Sequence, residues 1–202
     1  MQIAIIGAGK VGTTLGTRFL AAGHSVTYGA RNPDDPKHAA TGASIDTIAA
    51  AASRAELIVL TTSWAGAQDA LAAAGDLAGK VLVDATNPIG PGMVLTHGTT
   101  DSGAEQVARW APGARVVKAF NSIGMEVMAN PRFGDRGAVL WLCGDDVAAC
   151  EIVSTLAASI GFEPLRLGPL ARARFIEPAA LLWITASGIL GTREFGWGMM
   201  RR

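Results

Sequence analysis

Between a short apolar run and a helix-spaced apolar pattern the chain carries three glycines, Gly7, Gly9 and Gly12, and this arrangement leaves few folds open. Ile3, Ile5 and Ile6 suit a strand covered on both faces, and Gly7-Ala8-Gly9-Lys10-Val11-Gly12 follows without a break. Leu15, Phe19 and Leu20 then recur at helical spacing, Gly23 ends that helix, and Ser25–Gly29 reads as a second strand. With 25 glycines in 202 residues, the spacing alone would mean little. Its place between strand and helix gives it meaning. There Gly7 permits a tight turn, Gly9 lets the backbone approach a pyrophosphate, and Gly12 lets the helix pack close to the strand, leaving first-turn amides aimed at an anion.

The same alternation continues. Helical patterns over 45–53, 64–74, 102–110 and 147–160 separate apolar runs at 56–60, 80–85, 114–119 and 137–143, with a short extended segment at 162–167. Strands that alternate with helices pair in parallel, because each crossover helix returns the chain to the same end of the sheet. The expected architecture is α/β, a Rossmann-type, doubly wound and mostly parallel sheet, with residues 1–167 as the nucleotide-binding domain and 168–202 as a small C-terminal helical extension. From Leu170 to Leu190 the extension is apolar on nearly every side except at Arg172, Arg174 and Glu177, and Pro178 is expected near a helix start. Leu181, Leu182, Trp183, Ile184, Ile189 and Leu190, followed by Phe195, Trp197, Met199 and Met200, predict a homodimer contact, with folding back over its own sheet as the alternative.

Composition excludes several classes. Lys plus Arg is 17 and Asp plus Glu is 17, a formal charge of zero that provides no basic field for nucleic acid. Hydrophobic residues make up 50% and charged residues 17%, which excludes a solvated disordered chain. The uncharged stretch Pro178–Thr192 is short and interrupted by glycine, so no bilayer span is expected. The start lacks a basic leader, and a cytoplasmic protein is expected. Cys143 and Cys150 read as core packing, and His24, His38 and His97 stand in no metal-ligand spacing.

The end of the second strand selects the dinucleotide. An NAD site places an acid there to accept from the ribose hydroxyls, but Val26-Thr27-Tyr28-Gly29-Ala30-Arg31-Asn32 offers none. Arg31 stands where a 2′-phosphate would lie, and its guanidinium suits bidentate bonding to phosphate oxygens, with Lys10 or Asn32 as helpers. NADP(H) is therefore the expected cofactor. Thr61-Thr62-Ser63-Trp64, Asn87-Pro88 and Asn121 follow later strands at the carboxyl ends that line the crevice of such a sheet. Trp64 reads equally well as a packing residue at a helix start.

Reduction of an alcohol or ketone needs an acid or base near the substrate oxygen. Tyr28 is the sole tyrosine and is expected beside the cofactor, so no Tyr-x-x-x-Lys pair exists, and His97 alone among the histidines lies in a crevice loop. No catalytic side chain is assigned. A flavin or deazaflavin acceptor would need none.

The segments IIGAGKVG (5–12), GARNP (29–33), TTSWAGA (61–67), VLVDATNPI (81–89), VVKAFNSIG (116–124), LCGDD (142–146) and GPLARAR (168–174) together resemble the coenzyme F420-dependent NADP oxidoreductases. The nucleotide-binding domain of that family is similar to the reductase domain of the membrane ferric reductases. The resemblance implies a Rossmann-type domain with a small C-terminal extension and a deazaflavin or flavin lying against the nicotinamide. It carries NADP binding onto Gly7, Gly9, Gly12, Arg31 and Asn32, and the nicotinamide surroundings onto Thr62, Ser63, Asn87, Pro88 and Asn121. Archaeal members have a proline where Ser63 stands and a histidine where Asn121 stands. Reduction of another small acceptor, or cofactor sensing without catalysis, remains the alternative reading.

Overall fold

The computed structural model describes residues 1–35, 42–200 and 202. His38 lies outside the described residues. The chain runs β1 (Gln2–Ile6), α1 (Lys10–Ala21), β2 (Ser25–Ala30), β3 (Ser44–Thr47), α2 (Ile48–Arg54), β4 (Leu57–Leu60), α3 (Ala67–Ala74) and β5 (Val81–Asp84). It continues through the small hairpin β6 (Ile89–Gly90) and β7 (Val94–Leu95), then α4 (Gly103–Trp110), β8 (Arg115–Lys118), α5 (Met125–Ala129) and a second small hairpin, β9 (Arg132–Phe133) and β10 (Arg136–Gly137). β11 (Val139–Gly144), α6 (Val147–Ser159), β12 (Glu163–Arg166) and α7 (Ala173–Leu190) complete it.

Eight strands form one sheet in the order β12-β11-β8-β5-β4-β1-β2-β3, bearing out the doubly wound expectation. Alternate strand residues divide the core. Ile3, Ile5, Val59, Val83 and Val117 face α1, α5 and α6, whereas Ala4, Ile6, Ile58, Leu82 and Val116 face α2, α3, α4 and α7. Burial on both faces is why these strands read as continuous apolar runs rather than alternating ones.

Four local expectations are corrected. The helix expected from Ile45 begins at Ile48, because Ser44–Thr47 pairs in parallel with β2 and the Thr47 hydroxyl accepts from the Ala50 amide at 3.2 Å as the helix cap. The helix expected from Trp64 opens with a 3-10 turn, Trp64–Gly66, before α3. β11 runs antiparallel to β8 through Cys143–Lys118 and Gly144–Val117, while staying parallel to β12. This reversal follows from α5 and the β9–β10 hairpin, which replace a full crossover. Pro178 lies inside α7, past its first turn, where it leaves the Arg174 carbonyl without its helical donor.

The C-terminal stretch packs on its own chain along one side only. Ala173, Ile176, Glu177, Ala180 and Trp183 are buried, and the tail then turns back. The Trp183 indole donates to the Phe195 carbonyl at 3.1 Å and stacks on the Phe195 ring, Trp197 stacks on Trp141, and the Val139 amide donates to the Trp197 carbonyl. Phe195 and Trp197 are thus partly covered by the chain itself. Phe175, Leu182, Ile189 and Leu190 remain exposed. By length and composition, Leu170–Leu190 is long and apolar enough to cross a bilayer, although its first turns carry the charges of Arg172, Arg174 and Glu177.

Candidate functional site

β1 leads on to β2 and β3 on one side of the sheet, while β4, β5 and β8 extend the other. The topological switch therefore falls between β1 and β4, and open parallel sheets bind their ligands in the crevice outside the carboxyl ends of such strands. The glycine loop meets Thr61 there. Gly7 adopts φ 111°, a conformation that side chains resist, and its amide donates to the Gly29 carbonyl. A Cβ at Gly12 would come within 2.0 Å of the Gly7 carbonyl, so only glycine allows α1 this close. A Cβ at Gly9 would meet nothing within 4 Å. Glycine at that position is not needed to pack the protein, and the space above it is free for a ligand.

The first turn of α1 has no acidic residue, and Gly9 as its cap uses no side chain, so the amides keep their capacity for an anion. Lys10 is exposed at that end, with Ala8 and Val11 half-buried. Beyond buried Ala30, Arg31 and Asn32 are exposed at the tip of β2, and the described residues give the Arg31 guanidinium no hydrogen-bond or ion-pair partner.

Later strands add the remaining floor. The Thr61 hydroxyl is committed to the loop, donating to the Gly7 carbonyl at 2.8 Å. Thr62 Oγ1, next along, is buried with no hydrogen-bond partner. Ser63 is exposed, and Trp64 packs against the rings of Trp110 and His97 at centroid distances of 5.1 and 5.4 Å. Across the floor, Asn87 Nδ2 donates to the Asn121 carbonyl at 2.9 Å and Asn121 Nδ2 returns a bond to Asn87 Oδ1 at 3.0 Å. Asn121 Oδ1 is buried and unpartnered. Pro88 is buried beside Gly103. Orphaned acceptors at Thr62 and Asn121, together with the open cradle at Gly9, fit a ligand with a pyrophosphate and an amide-bearing ring.

Tyr28 corrects the sequence reading. It is fully buried in the core under Gly16, its hydroxyl 3.5 Å from the Thr13 carbonyl, and burial raises its pKa. Both cysteines are buried as expected, and burial pushes the Cys143 thiol up to about 12, leaving it no nucleophilic role. Among the described residues no group of His, Cys, Asp and Glu is placed to hold a metal ion.

Sequence reasoning missed the charged network beneath the floor. Asp84 and Lys118 end β5 and β8 in register, and Lys118 Nζ donates to Asp84 Oδ2 at 2.9 Å, Glu177 Oε1 at 2.8 Å and the Thr86 carbonyl at 2.7 Å. The three charged side chains are sealed from solvent. Burial alone would lower the Lys118 pKa, but the charges of Asp84 and Glu177 outweigh it and hold the ammonium above its ordinary value. Each is a lone charge in an apolar stretch, VLVD, VVKAF and FIEPAALL, and that was the available signal. Phe120 was also missed. It is a buried non-glycine at φ 63°, which costs on the order of 1–3 kcal/mol and turns the chain from β8 into Asn121.

Residues 2–88 match the family described as NADP oxidoreductase, coenzyme F420-dependent. The F420-dependent NADP reductase of Methanothermobacter thermautotrophicus is 32% identical, over 91% of this chain and 88% of that protein. The chain belongs to the F420-dependent NADP oxidoreductase family. A crystal structure from Arthrobacter sp. FB24, provisionally assigned as an F420-dependent NADP reductase, covers 100% of both chains at 35% identity with a TM-score of 0.91. The rat metalloreductase STEAP3 is 36% identical over 89% of this chain, which spans 36% of that relative's length. The family match includes the glycine loop, Arg31, Thr62 and Pro88, and ends before Lys118 and Asn121.

Proposed function

We propose that the chain is an NADP(H)-dependent oxidoreductase that exchanges hydride with a deazaflavin or flavin coenzyme. The observation that carries the cofactor half is a glycine loop open above Gly9 beside a β2 tip, Ala30–Asn32, that offers no acid and an Arg31 with no hydrogen-bond or ion-pair partner among the described residues. Arg31, with Lys10 or Asn32, holds the 2′-phosphate. Gly7, Gly9 and the amides opening α1 take the pyrophosphate, while Thr62, Ser63, Asn87, Pro88 and Asn121 surround the nicotinamide. That ring supplies the hydride when bound.

The chain's own task is to bind, orient and exclude water. His97 Nδ1 is engaged by the Thr96 hydroxyl at 3.0 Å, and the His97 ring packs on Trp64. An acceptor that needs a stacked ring and a hydride, with no proton delivered to a developing alkoxide, suits such a site. The full-length likeness to the Arthrobacter structure and the Methanothermobacter reductase supports the deazaflavin. NADPH oxidation followed with deazaflavin, FMN, FAD, ferric chelates and quinones tests this. Turnover with the tricyclic coenzymes alone is expected. Turnover confined to ferric chelates would replace the acceptor while leaving the cofactor assignment intact.

A further inference from the structure

The buried Asp84–Lys118–Glu177 network joins three parts of the molecule that meet nowhere else in sequence. Lys118 spends all three ammonium hydrogens, on Asp84, Glu177 and the Thr86 carbonyl. Asp84 Oδ1 accepts from the Thr86 amide at 2.9 Å and the Thr86 hydroxyl at 2.6 Å. Glu177 also receives the Gly103 amide at 2.8 Å and the Ala104 amide at 3.0 Å, while Ser102 takes the Glu105 amide. Two of the first-turn donors of α4 are therefore satisfied from α7, and Glu177 faces both the shared ammonium and the positive end of a helix. One turn before Glu177, Arg174 holds Glu105 with two bonds of 2.9 and 2.6 Å.

This network ends at the crevice floor. Thr86, held on three sides, is followed directly by Asn87. Asn121 lies three residues after Lys118 and, besides its bond to Asn87, donates to the Ile176 carbonyl of α7 at 3.4 Å. A Cβ at Gly103 would touch both Glu177 Oε1 and Pro88 at 3.1 Å. Both arms of the floor thus rest on the same turn of α7.

We propose that Glu177 is a positioning residue for the cofactor crevice. Through Lys118 and Thr86 it fixes the Asn87–Asn121 pair, so the floor takes its binding geometry only when α7 is docked. Lys118 and Glu177 are sealed from solvent and act through other groups, never on substrate. Coupling of this kind is reciprocal: a ligand that needs the floor in place also tightens the docking of α7. The inference rests on the cofactor reading above, but its structural half does not need the cofactor.

The test compares wild type with Glu177→Gln, which keeps the shape and one acceptor and leaves Lys118 paired with Asp84. Side-chain amide NMR of Asn87 and Asn121 is recorded without cofactor, NADPH affinity is titrated, and hydrogen exchange along α7 is followed with and without NADPH. Expected are shifted asparagine amide resonances, NADPH binding weaker by about 10-fold, and slower exchange in α7 of the wild type when NADPH is added. If Glu177→Gln does not fold, Arg174→Ala loosens the same turn without disturbing the buried charges and should move all readouts in the same direction, less far. A folded variant with a lower melting temperature but unchanged asparagine resonances and NADPH affinity overturns the proposal. A wild type that ignores NADPH would overturn the cofactor reading instead, and the asparagine spectra would still decide the coupling.

Discussion

Arg31 and Gly9 make separable demands on the crevice. Arg31 is exposed and unpartnered among the described residues, so Arg31→Ala removes no hydrogen bond or ion pair to them. Its loss should weaken NADPH by about 2–3 kcal/mol, roughly 30- to 150-fold, and leave NADH nearly unchanged. Parallel titrations check this, and an undiminished preference for NADPH would remove Arg31 from the site. Gly9 has φ −82° and open space where a Cβ would go, so Gly9→Ala should melt like wild type. It should still weaken both dinucleotides together, because the methyl group occupies the place of the pyrophosphate. Asn121→Ala should slow pre-steady-state hydride transfer by about 10-fold, short of the 10²- to 10⁴-fold that loss of a general acid or base causes. These residues were legible because each sits at a strand end that short-range pattern locates. The Phe120 turn was not, since positive φ at a phenylalanine is imposed by the core around its ring, and no local propensity announces it.

Legibility changed at the level of whole elements. The glycine loop, α1 and the central strands follow from periodicity alone. β3 was missed because Ser44–Thr47 has a single aliphatic residue and becomes a strand only beside β2. Folding of α7 over its own sheet stood only as an alternative, because nothing local to Glu177 announces that Lys118, 59 positions earlier, faces it. That pairing gives α7 a pH signature. The Lys118 pKa is raised in the folded chain, so its stabilisation is complete below the ordinary lysine value near 10.5 and is lost as pH climbs through the higher folded value. Melting temperature should accordingly be insensitive to this group from neutrality to about pH 10 and fall beyond it. Lys118→Met strands two buried carboxylates, a loss of about 3–5 kcal/mol. Its stability should lack the alkaline step. Melting curves across pH for both proteins decide the matter, and matching profiles would mean that the network carries no net stability.

At the scale of the whole molecule, the covered side of α7 sharpens what its uncovered side requires. Truncation before Leu170 would remove Glu177 from a buried network, so the C-terminal segment belongs to the sheet it packs on, and self-packing accounts for Trp183, Phe195 and Trp197. Phe175, Leu182 and Ile189 are left 65%, 58% and 81% exposed, seven residues apart along one line of the helix, with Leu190 beside them at 60%. A seven-residue apolar repeat keeps one seam toward a neighbouring helix, and from Phe175 to Ile189 it runs about 21 Å. An isologous pair of α7 helices would hide both seams at once, and closed two-fold pairs are the commonest soluble assemblies. We therefore expect a homodimer through this face. Sedimentation equilibrium should give twice 20.8 kDa at micromolar concentration, and Leu182→Glu with Ile189→Glu should return the chain to 20.8 kDa without lowering cofactor affinity, because neither side chain reaches the buried network. A wild-type chain that stays at 20.8 kDa and sediments with phospholipid vesicles through the same two positions would instead assign the seam to a lipid surface, which the length and hydropathy of Leu170–Leu190 also permit.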